Sequence, residues 1–144
     1  MDRLETVSSE IYTKIINVSD QKKIEIIIAA CEFAIKESKI NHPLINKLME
    51  YIRNDRRISQ VEKSSIEKLV ANLDNEYFDL LESSEEGKSS TDEYIEAFSK
   101  ARAASALLCA FNEDILTAAK EVVYEASSVV EDKNELFYII SNAI

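Results

Sequence analysis

One glycine and one proline in 144 residues leave this chain few ways to turn tightly. Average usage would supply roughly ten glycines and seven prolines over that length. Two-residue β-hairpins need residues that accept positive φ, and phosphate-cradling loops need backbone free of side chains, so sandwiches, barrels, P-loops and dinucleotide folds fit poorly. Helices joined by polar caps need neither device.

The apolar pattern agrees. Leu4, Val7, Ile11 and Ile15 recur at helical spacing, as do Ile24, Ile27, Ile28, Cys31 and Ile35. The β-branched run Ile26–Ile28 reads as a strand in isolation. Glu25, Glu32, Lys36 and the alanines between them extend a helical face over about five turns, so this segment is predicted as a central helix. A chain of this length suggests one domain and can bury about two thirds of its unfolded surface without staples. The expected fold is all-α: a single-domain irregular bundle of about seven to eight short helices.

Capping residues set the expected boundaries. Ser19 or Asp20 starts the second helix and Asn41 the third, with His42 and Pro43 following where a missing proline N–H is harmless. Ser59 with Glu62 and Ser90 with Glu93 fit capping boxes, and Asp74 and Asn112 are further caps. The predicted helices run roughly 2–17, 20–38, 43–54, 60–72, 75–83, 92–110, 113–130 and 133–143. The alanine-rich run Ala101–Ala110 and the stripe Ile115, Ala119, Val122, Ala126, Val129 are expected to form the core pair. The polar segment Ser83–Ser90, carrying the single Gly87, is expected to be an exposed loop.

Catalytic equipment is missing. His42 is the sole histidine, which removes His-based dyads beyond that residue and the paired Glu-x-x-His ligands of di-iron bundles. It reads as a helix-start residue. Glu93 with Glu96, and Glu121 with Glu125, share helix faces, but a chain with 27 acidic residues produces such pairs by chance, and they read as solvated faces. No EF-hand pattern is present. Cys31 and Cys109 lie in apolar runs and read as free, buried thiols, which suits a reducing compartment. The opening Met-Asp-Arg-Leu-Glu lacks the apolar run of a secretory signal, and the longest stretch free of Asp, Glu, Lys and Arg, residues 103–112, is far short of the roughly eighteen residues of a membrane span. These features predict a cytoplasmic protein without cofactor, metal or membrane contact.

Charge is distributed unevenly. Residues 1–72 hold 12 basic and 11 acidic side chains, whereas residues 73–144 hold 5 and 16, so the whole net charge of −10 comes from the second half. Nine acids crowd into 23 residues (Asp74, Glu76, Asp79, Glu82, Glu85, Glu86, Asp92, Glu93 and Glu96), against one base, Lys88. Tyr77, Phe78, Tyr94 and Phe98 lie among them. Aromatic groups ringed by charge suit a protein interface, in which the rings anchor and the charge steers. The candidate partner-binding residues are therefore those nine acids with Tyr77 and Tyr94. The plainer alternative is acidic solvation, with Phe78, Leu81 and Phe98 facing the core and the tyrosines bordering it. A matching partner is strongly basic, as a nuclease is because it must neutralise phosphates; direct binding of nucleic acid by this acidic chain is not expected.

Several features occur in a telling order: Ala29-Ala30-Cys31-Glu32 on an apolar helix, a short helix after Asn41-His42-Pro43, then Leu73-Asp74-Asn75-Glu76. An acidic, glycine-containing loop at 85–88 and an alanine-rich pair over 97–126 follow. In this order the chain resembles the small helical immunity proteins of bacterial polymorphic-toxin and contact-dependent growth inhibition systems. The resemblance implies a non-enzymatic cytoplasmic protein that binds one cognate toxin domain, often an RNase or DNase, and protects the producing cell by blocking the active site or binding an exosite. A helical adaptor or regulatory subunit that binds another basic protein is the competing reading.

Overall fold

The computed structural model describes residues 2–87 and 91–144 and contains eight helices, with no strand among the described residues. They are α1 (Arg3–Val7), α2 (Ser9–Asn17), α3 (Asp20–Ser38), α4 (Pro43–Arg53), α5 (Gln60–Glu85), α6 (Thr91–Cys109), α7 (Ile115–Ser127) and α8 (Asn134–Ala143). The all-α bundle expected from glycine scarcity and periodicity is the observed fold.

Helices α3, α6 and α7 pack on one another at the centre. Ala103, Ala104 and Ala106 of α6 and Ala118, Ala119 and Ala126 of α7 are buried, so two backbones approach closely while Ile26, Ile27 and Phe33 of α3 fill the space between. The core pair expected from the alanine-rich runs is thus a trio that includes the central helix α3. Ile45, Leu48 and Met49 of α4 and Leu136 and Ile140 of α8 close the sides. Helix α5 is different: Ile66 is its one buried residue, and it packs along α6.

Several boundaries differ from expectation for local reasons. The predicted helix 2–17 is two helices, because Ser8 takes extended backbone and its Oγ accepts the Ile11 N–H at 3.2 Å. Ser19, not Asp20, caps α3. His42, not Asn41, caps α4, its Nδ1 accepting the Leu44 N–H at 3.1 Å, which requires the ring proton on Nε2. Asn112 does not cap α7 directly. From two residues ahead of the cap its side chain accepts the Asp114 N–H at 2.9 Å, and Asp114 occupies the cap position. The Ser59–Glu62 capping box is present in both directions. The Ser90–Glu93 box falls on Ser90, outside the described residues.

The largest correction concerns 60–83. The two predicted helices are one, 26 residues and about 39 Å long. Asp74 is no cap: the inward line Leu69, Leu73, Tyr77, Leu80 crosses it without a change of register, and its carboxylate is held by Arg102 of α6. The helix also consumes Ser83–Glu85 of the expected loop, leaving Glu86 at its C-cap and Gly87 at φ 76°. Lys88 and the serines after it lie outside the described residues.

Candidate partner-binding arm

Helices α5 and α6 form an antiparallel pair whose two ends differ. Toward the bundle, Ile66, Leu69, Val70 and Leu73 of α5 and Ala103, Ala104, Ala106 and Leu107 of α6 join the contiguous apolar core. Beyond Leu73 the pair is held by its own aromatic cluster. The Tyr77 ring lies 5.1 Å from Phe78, 5.1 Å from Phe98 and 6.3 Å from Tyr94, in tilted and edge-on geometries. Such pairs add roughly 0.5–1.5 kcal/mol each beyond area burial. The result is an arm built on a small separate cluster.

At its root, Arg102 ties the arm to the bundle. Its guanidinium donates to Asp74 of α5 at 2.7 Å and to Glu125 of α7 at 3.0 Å, and lies 5.7 Å from the Phe98 ring centroid. Glu125 also faces Arg3 at 3.7 Å, and Arg3 pairs with Glu121 and stacks over Tyr124. The expectation of a solvated Glu121–Glu125 face therefore fails for Glu125, which is buried. The Arg102 Nε–H is buried without a partner among the described residues.

The predicted partner-binding residues divide accordingly. Asp74 is committed to Arg102. Tyr77 and Tyr94 are half-buried in the aromatic cluster. Glu76, Asp79, Glu82, Glu85 and Glu86 are exposed on or at the end of α5, and Asp92, Glu93 and Glu96 on α6. At about 100° per residue, Asp79, Glu82 and Glu86 fall within about 60° of one another on the side away from Leu73, Tyr77 and Leu80, and Glu76 flanks that inward line. Glu76, Asp79, Glu82, Glu85, Asp92 and Glu96 carry no ion pair among the described residues.

Helix electrostatics explains two of these charges. Asp92 and Glu93 occupy the first turn of α6, where partial positive charge on free N–H groups favours them. Glu82 and Glu85 occupy the other polarity: the last turn of α5 has no basic residue, and its free carbonyls repel carboxylates by about 0.3–1 kcal/mol each. Folding would be served by lysines there.

Two side chains outside the predicted set complete the surface. Phe78 is 60% exposed, so the reading that turned it to the core is overturned, and Ile95 is 49% exposed. Residue pattern could have located Phe78 only once α5 was known to be continuous. At the opposite end of α5 lies an open groove of about 1010 Å³ over Ile28, Ile58 and Leu108; its rim balances Arg56, Arg57 and Lys63 against Asp55, Glu67 and Glu113, so it has no charge bias like the arm's.

Cys31 and Cys109 are free, the first buried and the second half-buried. Burial pushes the Cys109 thiol up to about 11 and that of Cys31 higher still, so both favour the protonated, poorly nucleophilic form. Among the described residues, no helix is long and apolar enough to cross a membrane.

Fold and surface together define an all-α bundle bearing an acidic, aromatic-cored helical arm. No family model matches the chain, and neither a curated protein nor a solved structure matches it.

Proposed function

We propose that this chain is a cytoplasmic immunity protein that binds and neutralises a basic toxin domain, an RNase or another nuclease, through the α5–α6 arm. One observation carries the reading: the carboxylates Glu82 and Glu85 crowd the helix end where they oppose folding, beside the like-charged start of α6. Charge kept at a cost to the fold finds its use in a partner of opposite sign. A nuclease presents such a surface where it grips phosphate, and a carboxylate-lined arm substitutes for that phosphate. Steered association at about 10⁸–10⁹ M⁻¹s⁻¹ at low salt intercepts a toxin before it reaches nucleic acid.

The test is co-expression. The gene for an immunity protein lies directly after that of a large secreted toxin, and cells producing the terminal domain of that toxin should survive only when this chain is present. Purified together, the two should form a complex that weakens as salt rises. Metabolic neighbours and capture of some other basic protein would instead make the chain an adaptor or regulatory subunit. Failure to bind any basic partner removes both readings.

A further inference from the structure

Phe78 and Ile95 lie on one side of the arm. Phe78 is four residues after Asp74, and Ile95 seven before Arg102, so each continues, by one or two helical turns, the line that carries the Asp74–Arg102–Glu125 contact toward α7. On that side the segment just after α7 reaches Ser99, whose hydroxyl donates to the Val129 carbonyl at 2.9 Å. One turn further out α7 has ended, and Phe78 is 60% and Ile95 49% exposed. On the same line Glu82 stands four residues after Phe78 and Asp92 three before Ile95.

We infer that Phe78 and Ile95 form an apolar ledge that seats aliphatic side chains of an amphipathic, arginine- or lysine-rich helix of the basic partner, while Glu82 and Asp92 take its cations. The inference rests on the acidic-arm reading above and adds to it the contact that sets residence time. Charge complementarity selects this occupant over a second copy of the chain, since two arms of the same sign repel at the ledge. Apolar anchors at the centre of a charged rim hold a complex by slowing its dissociation, whereas exposed rim charge acts mainly on encounter.

The probes are two synthetic helical peptides of equal length and charge, one with leucine and one with alanine on the apolar stripe and arginine elsewhere. Calorimetry at moderate salt should show the leucine peptide binding about tenfold tighter than the alanine peptide. Phe78→Ser with Ile95→Ser should erase that preference and leave alanine-peptide affinity nearly unchanged. Glu82→Gln with Asp92→Asn should weaken both peptides and keep the preference. Equal binding of the two peptides to the unaltered protein overturns the ledge while the charge reading stands, and so does a leucine preference that survives in the serine variant. If neither peptide binds, the charge reading falls and the ledge with it. Concentration-dependent dimers in sedimentation, abolished by the serine variant, would assign the ledge to a second copy and overturn the proposal.

Discussion

Arg102→Met asks whether charge holds the arm to the bundle. The guanidinium side chain is 20% exposed and lies between Glu125, 5% exposed, and Asp74, 33% exposed. Methionine keeps much of the stem beside Phe98 and deletes both ion pairs. Glu125 is then left buried, with Arg3 at 3.7 Å as its remaining cation. Removing one member of a buried pair costs about 3–5 kcal/mol, and of an exposed pair about 0.2–1 kcal/mol. Because Glu125 is near the buried limit and Arg3 compensates in part, the expected loss is about 3 kcal/mol. Glu125→Gln should cost about 2 kcal/mol, since its amide oxygen still accepts from Arg102 and Arg102 keeps Asp74. Asp74→Asn should cost about 1 kcal/mol or less. The double variant Arg102→Met, Glu125→Gln should be about 1–2 kcal/mol more stable than the sum of the singles, because the second change removes the carboxylate stranded by the first. Urea unfolding followed by helical circular dichroism reads these values. At slopes of about 1–3 kcal/mol per molar, a 3 kcal/mol loss lowers the midpoint by about 1–3 M. A loss below about 1 kcal/mol for Arg102→Met, or strict additivity in the double variant, would refute the reasoning.

Three further outcomes are expected. Glu82→Lys with Glu85→Lys should stabilise the fold by about 0.3–1 kcal/mol per site, read as a higher urea midpoint, while slowing association with a basic partner and flattening its salt dependence; a destabilised variant would sink the idea that these carboxylates oppose folding. Glu62 is held well below the usual carboxylate range by Lys47, the Tyr51 hydroxyl and the Ser59 backbone N–H. Its folded pKa lies below its unfolded one, so its contribution is present above the ordinary carboxylate range and lost on acidification; between about pH 6 and pH 3 the unaltered protein should lose more stability than Glu62→Gln, and parallel pH profiles would contradict this. At about pH 8, iodoacetamide should label Cys109 slowly and Cys31 only under unfolding conditions, and rapid double labelling of the folded protein would show that the α3–α6 seam is open.

The bundle was legible in the sequence because its signals are local and agree. Apolar spacing of three and four residues, the Ser19 and Ser59 caps and the alanine run over 101–110 each specify helix without reference to distant residues. Ser8 shows the limit of periodicity. Leu4, Val7, Ile11 and Ile15 keep one face across the α1–α2 break, so the stripe continues while a serine hydroxyl stops the backbone. Glu125 shows the limit of composition: among 27 acids nothing marks it as buried, because its burial depends on Arg3 and Arg102, which lie 122 positions before it and 23 before it in the chain.

The same limit governs the arm, where one misread residue hides two features. Aspartate favours helix starts because its carboxylate binds free N–H groups, and Leu73-Asp74-Asn75 therefore reads as a boundary. Arg102 supplies a stronger partner for that carboxylate from another helix, and nothing near Asp74 in sequence announces it. If a helix ended at Asn72, the next would have a free register, and Phe78 could turn inward with Leu81. With the helix continuous, Phe78 must stand one turn above Asp74, on the Arg102 side, and the end of α7 leaves it uncovered. The ion pair that removes Asp74 from the exposed acidic surface is thus also what fixes the direction of Phe78. Replacing Arg102 should therefore do more than destabilise: amide exchange should accelerate from Asp74 to Glu85 before it does in α3 or α7, and uniform acceleration through all three helices would show that the arm has no independent opening.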